Sequence, residues 1–399
     1  MMNAVNNRLD GHLAKIVVYA AFLLTLVFAF NLQSHSPENT DFVGYWAAAK
    51  LFVNGQNPYD STLLMNLEKN VGALFTAPMM VWNPPIIFAM LWPLGTLEFE
   101  TANNLWTLIN VFLIFISLAC TRTLFVQNNP AIFVSWLMVL CFQPLHQVFR
   151  LGQLSLMLVA AFLVAVTCIT KNKRFLGGVL FSILLIKPHL VFLVFLSLLF
   201  DAYRTKDLKI LSGVLFGLIA LFAVVFIQSP QIISQWLNIS GGVVDWKSAT
   251  WVTQFRLQFA VPGKMISWPL YVVPLVGTGV FLLLEKYTWK FAVKFKPTTS
   301  LIERLQIALL LSIIFSPYGW FFDFVLLLPI QVYCATQAIS FEDRTVRLSL
   351  LLSLILINLL TEVVGLYFSF HHQFFWYPTV LGLLYFVTRH FLQKFSTNH

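Results

Sequence analysis

Three ionisable residues stand beside long apolar runs, where a charge is costly unless it has a role. Asp41 opens DFVGYWAAAKLFVNGQNPYD, Arg150 lies in RLGQ, and Lys187 lies in IKPH. A carboxylate can take the proton of an attacking hydroxyl, and cations can neutralise a phosphate leaving group. We therefore expect Asp41 to act as a general base, and Arg150 and Lys187 to contact a phosphate. Asp41 equally suits an N-cap for a helix starting at Val43, and the cations suit interfacial anchoring.

Polar and aromatic side chains near these three residues are further candidates for binding a substrate. Aromatic rings with a polar edge can stack on a sugar, although they also anchor helices at membrane interfaces. Asp323 lies within an apolar run and needs a partner, for which Lys187 or Arg150 is suitable. Substrate contacts are expected from Tyr45, Trp46, Tyr59, Arg150, Gln153, Lys187, His189, Asp245, Trp246, Arg256, Tyr318, Trp320 and Asp323.

The composition is typical of a polytopic membrane protein. Hydrophobic residues make up 59% of the 399 residues and charged residues only 10%, against about 25% charged residues in soluble domains. The net charge of +9 is spread over short loops rather than along one face, so we predict no nucleic-acid partner. The sequence has no glycine-rich phosphate loop and no zinc-type spacing, so we predict no cofactor and no metal.

The apolar runs predict an all-α fold, a transmembrane bundle of about 12 spans forming a single integral membrane domain over residues 1–399. Loops rich in Lys and Arg alternate with loops that carry the candidate residues. The positive-inside rule therefore places both termini in the cytoplasm and the candidate site outside. Residues 33–83 and 229–265 are the two long outer loops, and we expect a short amphipathic helix in the first. The second loop, with Asp245, Trp246 and Arg256, equally suits a simple cover.

Two short apolar stretches determine this topology. Residues 84–97 contain three prolines and are too short for an ordinary span, so we predict a re-entrant segment there. Residues 175–186 and 189–200 are separated by Lys187-Pro188, and a residue before proline disfavours helix. We predict a hairpin with Lys187 and His189 at its tip, and a single long span is the alternative.

The order of these motifs resembles glycosyltransferase family 87, membrane enzymes of the GT-C fold that use polyprenyl-phosphate sugars. The motifs are D-F-x-x-Y-W-A-A with P-Y-D, then N-P-P, L-G-Q, K-P and S-P, over residues 10–340. The resemblance implies inverting transfer of a mannose-like or arabinose-like sugar to a glycan or glycolipid acceptor, on the outer side of a bacterial inner membrane. It implies Asp41 as the base. Members often carry a His shortly after S-P, where this chain has Trp320 to Asp323.

Two other functions fit parts of the sequence. A transporter or flippase of a lipid-linked envelope intermediate would also need cations within the membrane, but it typically has midplane polar sites and repeated halves. The candidates here cluster on the outer side and no internal repeat is found, which favours glycosyl transfer. A non-catalytic factor in envelope-glycan assembly stays open because of the departure near Asp323.

Overall fold

The computed structural model describes residues 20–33, 36–37, 40–125, 137–239, 246–260, 265–292, 297–367 and 371–396. Over these residues the chain is helical and contains no β-strand, which confirms the predicted all-α class. The helices are α1 (Ala20–Leu32), α2 (Phe42–Val53), α3 (Ser61–Asn70), α4 (Phe88–Gly95), α5 (Phe99–Phe125), α6 (Gln143–Leu151), α7 (Ser155–Thr170), α8 (Arg174–Phe181), α9 (Phe192–Thr205), α10 (Lys209–Gln228), α11 (Ile232–Ile239), α12 (Trp251–Gln258), α13 (Pro269–Ala292), α14 (Pro297–Ile314), α15 (Leu328–Ser340), α16 (Arg344–Tyr367) and α17 (Tyr377–Ser396).

Several helices have the length and apolar character of membrane spans. Other apolar helices, such as α1 and α7, have only 10–17 residues. At 1.5 Å per residue these cover about 15–26 Å, against a hydrocarbon core of about 30 Å. The predicted count of 12 spans and the GT-C architecture therefore stay predictions. The five candidate spans are Phe99–Leu124, Lys209–Gln228, Pro269–Lys286, Phe321–Ser340 and Arg344–Tyr367.

Helices α8 and α9 form a hairpin with Lys187 at its tip. Helix α8 tightens into the 3-10 segment Ser182–Ile186, and the 3-10 turn Pro188–Leu190 leads into α9. Arg174 at the start of α8 is ion-paired with Asp201 near the end of α9. These residues are 27 positions apart and would be about 40 Å apart in one straight helix. The predicted hairpin is therefore confirmed and the single long span is excluded.

The open end of this hairpin is held by buried ion pairs. Arg304 on α14 contacts Asp201 at 2.9 Å and Glu285 on α13 at 3.5 Å. Arg204 on α9 also pairs with Glu285. The carboxylates of Asp201 and Glu285 thus each face two guanidinium groups. Such compensation is what makes a buried charge tolerable. These contacts fasten α9, at the open end of the hairpin, to α13 and α14, and Arg174 joins α8 to the same network through Asp201.

Helix α2 is enclosed by the protein and does not lie at a surface. Nine of its 12 residues are buried, and they point in all directions around the helix axis. A Cβ atom on Gly95 of α4 would lie 2.4 Å from the backbone of Ala49, and the rings of Phe52 and Phe88 stack at 5.1 Å. A helix therefore forms within residues 33–83, where an amphipathic one was predicted, but this enclosed helix is not amphipathic. The amphipathic helix of this region is α3, which buries Leu64 and Glu68 and exposes most of its other residues.

The short run at 84–97 forms a 3-10 turn, Pro85–Ile87, followed by α4. Together they span Pro85–Gly95, which covers about 16 Å and is too short to cross a bilayer. This length fits the re-entrant prediction, which stays a prediction.

Candidate active site

Asp41 directly precedes α2 but does not cap it. Its carboxylate accepts a hydrogen bond from Nε2 of Gln153 at 2.5 Å and none from the first turn of α2. The backbone N–H of Phe42 donates instead to the hydroxyl of Thr40, at 3.2 Å. The N-cap interpretation is thus excluded, and the carboxylate is directed towards a residue 112 positions away.

Gln153 is oriented from both sides of its amide group. The hydroxyl of Tyr45, one turn into α2, donates to Oε1 of Gln153 at 3.2 Å. The preceding Gly152 has φ of +64°, and a Cβ atom there would lie 2.5 Å from the Cβ of Phe42. The carbonyl of Gly152 accepts a hydrogen bond from the indole of Trp106 at 2.9 Å. Glycine therefore allows the end of α6 to approach α2 closely enough for the contact with Asp41.

The surroundings of Asp41 raise the pKa of its carboxyl group towards neutral pH. Burial raises the pKa of its carboxyl to about 6. The hydrogen bond from Gln153 and the charge of Lys187 lower it, and the charge of Asp323 raises it, so both charges act at Asp41. A base is most effective when its pKa lies near the working pH. The carboxylate is therefore suited to accept a proton at neutral pH.

Lys187 and Asp323 form a buried ion pair beside this carboxylate. Nζ of Lys187 contacts Oδ1 of Asp323 at 2.7 Å, and Ser155 donates to the same oxygen at 2.6 Å. The backbone N–H of Trp320 donates to Oδ2 of Asp323 at 3.0 Å. Nζ of Lys187 also lies 5.0 Å from the ring centroid of Phe322. The predicted partnership of Asp323 with Lys187 is confirmed.

An aromatic cluster adjoins this ion pair and consists of Trp82, His189, Trp246, Tyr318 and Trp320. The rings of His189 and Tyr318 lie 3.9 Å apart. Trp246 contacts Tyr318 at 5.6 Å, Trp320 at 6.2 Å and Trp82 at 5.3 Å between ring centroids. Four of these residues were predicted as substrate contacts from the sequence. Trp82 was missed, although it directly precedes the N-P-P motif.

Ser155 was also missed, because a single serine at the start of an apolar helix carries little signal. Asn83 was missed too, although it begins the N-P-P motif. Its side chain donates to the carbonyl of Ile186 at 3.1 Å and so fixes the residue before Lys187.

Three of the predicted substrate contacts are buried and contact other parts of the protein. Trp46 is buried, and its indole donates to the carbonyl of Leu97 at 3.0 Å. The ring of Tyr59 is buried against Phe88. Arg256 is buried, and its Nε donates to the carbonyl of Ile266. None of the contacts described above joins these residues to Asp41 or Lys187, and their role in binding a substrate stays a prediction.

Arg150 lies in the last turn of α6 and is exposed. Among the residues that the structure describes, it has no hydrogen bond and no ion pair. The carbonyl of the next residue, Leu151, accepts a hydrogen bond from the hydroxyl of Thr40 at 2.9 Å. Thr40 directly precedes Asp41, so the backbone at Arg150 lies close to the start of α2.

Asp245 lies outside the described residues. Within the described ranges, no three His, Cys, Asp or Glu side chains gather in a group suited to a metal.

The sequence matches a model of glycosyltransferase family 87 over residues 82–317. The chain belongs to glycosyltransferase family 87. Five helices of the described residues are long and apolar enough to cross a bilayer, which is typical of a membrane protein. Gln153, Lys187 and His189 fall within the matched range, whereas Asp41 and Asp323 fall outside it, so their place in the site rests on the geometry described above.

One curated relative is an alpha-(1->3)-arabinofuranosyltransferase of Corynebacterium glutamicum. It is 25% identical over 283 residues, which are 67% of this chain and 63% of that protein. The chain thus spans less than two thirds of the length of the relative. No solved structure matches the sequence.

Proposed function

We propose that the protein moves a sugar from a polyprenyl-phosphate donor to a glycan or glycolipid acceptor on the outer face of the inner membrane, with Asp41 as the base. The observation that carries the proposal is the half-buried carboxylate of Asp41, which accepts a hydrogen bond from Gln153 and lies within the electrostatic influence of Lys187 and Asp323. The family resemblance supports the donor class. The name of the arabinofuranosyltransferase relative makes arabinofuranose a donor sugar to test beside mannose.

The proposed reaction is a direct displacement at the anomeric carbon. An acceptor hydroxyl oxygen attacks this carbon while the bond from carbon to phosphate oxygen breaks, so the configuration inverts. The proton of the hydroxyl passes to Asp41, and the polyprenyl phosphate leaves with the electron pair. A base contributes about 10²–10⁴-fold to such a step. No cofactor and no metal takes part in this scheme.

The two predicted cations have different surroundings, and we assign them different roles. The charge of Lys187 is compensated by Asp323 at 2.7 Å, so its first task is to fix that carboxylate and Ser155. Arg150 is exposed and carries an uncompensated charge. A guanidinium group binds phosphate through two parallel hydrogen bonds. Arg150 is therefore the proposed contact for the donor phosphate.

His189 offers an imidazole near the S-P motif, where family members often carry a histidine. It comes from the hairpin tip and stacks on Tyr318, which directly follows Ser316-Pro317. Burial lowers the pKa of His189 to about 3, so the ring is neutral at pH 7. A neutral ring can donate one hydrogen bond to a phosphate oxygen but adds no positive charge. This gives Arg150 the main electrostatic role.

The test uses the full chain in liposomes with polyprenyl-phosphate mannose, glucose and arabinofuranose, and measures release of polyprenyl phosphate. Asp41→Asn is expected to lower turnover by about 100-fold or more. The matched control is Asp60→Asn in the same segment. The side chain of Asp60 caps α3 by accepting from the N–H groups of Thr62 and Leu63, a role that asparagine can also fill.

Unchanged turnover in Asp41→Asn would remove Asp41 from the reaction. If the wild-type protein consumed none of the donors, the flippase and assembly-factor alternatives would be favoured instead.

A further inference from the structure

The aromatic cluster forms a path of rings that leads from the buried ion pair to the protein surface. At its inner end, His189 follows Lys187 by two residues, and Trp320 donates its backbone N–H to Asp323. Successive centroid distances from His189 to Tyr318, Trp246 and Trp82 are 3.9, 5.6 and 5.3 Å. Trp82 at the outer end is 37% exposed.

Three residues of this path have polar side-chain atoms without a partner in the described part of the chain. The indole N–H of Trp246, the hydroxyl of Tyr318 and the ring nitrogens of His189 have no hydrogen-bond partner among the described residues. All three side chains are half-buried. Half-buried rings with open donors and acceptors at their edges suit a ligand that has both apolar faces and hydroxyl groups.

The cluster differs from aromatic residues at a membrane interface and from core filler. Tyr203, Tyr271 and Tyr367 are each at least 72% exposed, as expected for side chains at the surface of the bundle. The tyrosines Tyr377 and Tyr385 are fully enclosed, and their hydroxyl groups are bonded to glutamine side chains. His189, Trp246 and Tyr318 are intermediate, since their rings are half-buried in the cluster while their polar atoms have no hydrogen-bond partner among the described residues.

We infer that the aromatic cluster binds the sugar rings of the acceptor. This inference rests on the proposed function and adds the chemical class and the location of the second substrate. A polyprenyl-phosphate donor brings one sugar, attached to a lipid. The path is several rings long and runs away from the charged centre to exposed Trp82, so it fits an oligosaccharide whose terminal sugar reaches Asp41.

The test measures oligosaccharide binding without any donor. The full chain in lipid nanodiscs is titrated with tri- and hexasaccharides of arabinofuranose, mannose and glucose, and binding is followed by saturation-transfer NMR. Trp246→Ala is expected to raise Kd about tenfold, which corresponds to the loss of one good aromatic contact. Trp82→Ala should raise it less, because Trp82 lies at the rim. Tyr318→Phe keeps the ring and tests the hydroxyl alone.

The matched control is Trp92→Ala on α4, since Trp92 is 45% exposed and lies outside the cluster. Its Kd should equal that of the wild type. Asp41→Asn should also keep oligosaccharide binding, so failure of the proposed catalysis and failure of this site are distinguishable. If Trp246→Ala does not fold, Trp82→Ala and Tyr318→Phe carry the test. The inference is overturned if no oligosaccharide binds the wild type, if all variants bind equally, or if the variants weaken binding of the lipid-linked donor instead.

Discussion

The acidity of Asp41 leads to a pH dependence that differs from that of an ordinary aspartate. Burial raises its pKa from 3.8 to about 6, and a base works only in the deprotonated form. With this pKa the deprotonated fraction is about 90% at pH 7 and about 10% at pH 5. An aspartate with an unshifted pKa would be more than about 90% ionised at both values. Turnover should therefore fall about tenfold between pH 7 and pH 5.

This fall in turnover is the acidic limb of the pH–rate profile. Replacing Gln153 should move the limb to higher pH. The amide of Gln153 donates to the carboxylate of Asp41 and thereby lowers its pKa. A hydrogen bond to a charged group contributes about 1.5–3 kcal/mol, which equals about one to two pKa units. In Gln153→Leu the midpoint of the limb is thus expected between about pH 7 and pH 8. Tyr45→Phe leaves the amide donor in place and should produce a smaller shift in the same direction.

The assay is the initial rate of polyprenyl phosphate release from liposomes between pH 4.5 and 8.5. Burial raises the pKa of Glu68 to about 7, although the backbone N–H of Met79 lowers it in part. Glu68→Gln is therefore the control, and it should leave the limb in place. His189, with a pKa of about 3, does not titrate in this range. A limb that Gln153→Leu does not move, in a variant that still turns over, would refute the role of Asp41.

Two further predictions concern stability, measured by thermal unfolding in detergent. Lys187→Met leaves Asp323 buried without a cation and should lower the free energy of unfolding by about 3–5 kcal/mol. Adding Asp323→Leu should restore most of this loss. Equal stability of the single and double variants would contradict the buried pair. Gly152→Ala combines a positive φ with a clash against Phe42 and should cost at least about 2 kcal/mol and lower turnover. Gly55→Ala, with φ of +71° and open space around it, should cost only about 1 kcal/mol.

Charge and proline position carried much of the information on the site. A charge in an apolar run needs a partner, and on this ground Lys187 was one of two cations expected to pair with Asp323, as the structure shows. Pro188 marked the tip of the hairpin, because the residue before proline avoids the helical region. Asp41 and Gln153 were both expected in the site, and the structure joins them directly.

The burial of individual side chains could not be read from the sequence. The apolar spacing in α2 suggested one buried face, but small residues such as Ala49 let α4 approach a second face, and the helix became enclosed. For the same reason the burial of Trp46 and Tyr59 was not foreseen. Their type and position suit a sugar site and a core equally well, and only the arrangement of neighbouring helices distinguishes the two.

The contacts that make up the site also determine when it can form. The bonds of Gln153 to Asp41 and of Lys187 to Asp323 join residues 112 and 136 positions apart. A chain inserted from its N-terminus must therefore hold Lys187 without its carboxylate until residue 323 has been synthesised. Contacts between such distant residues form late in folding, because the intervening chain must first be ordered. The candidate site is thus incomplete until most of the helices that carry it have been synthesised and inserted.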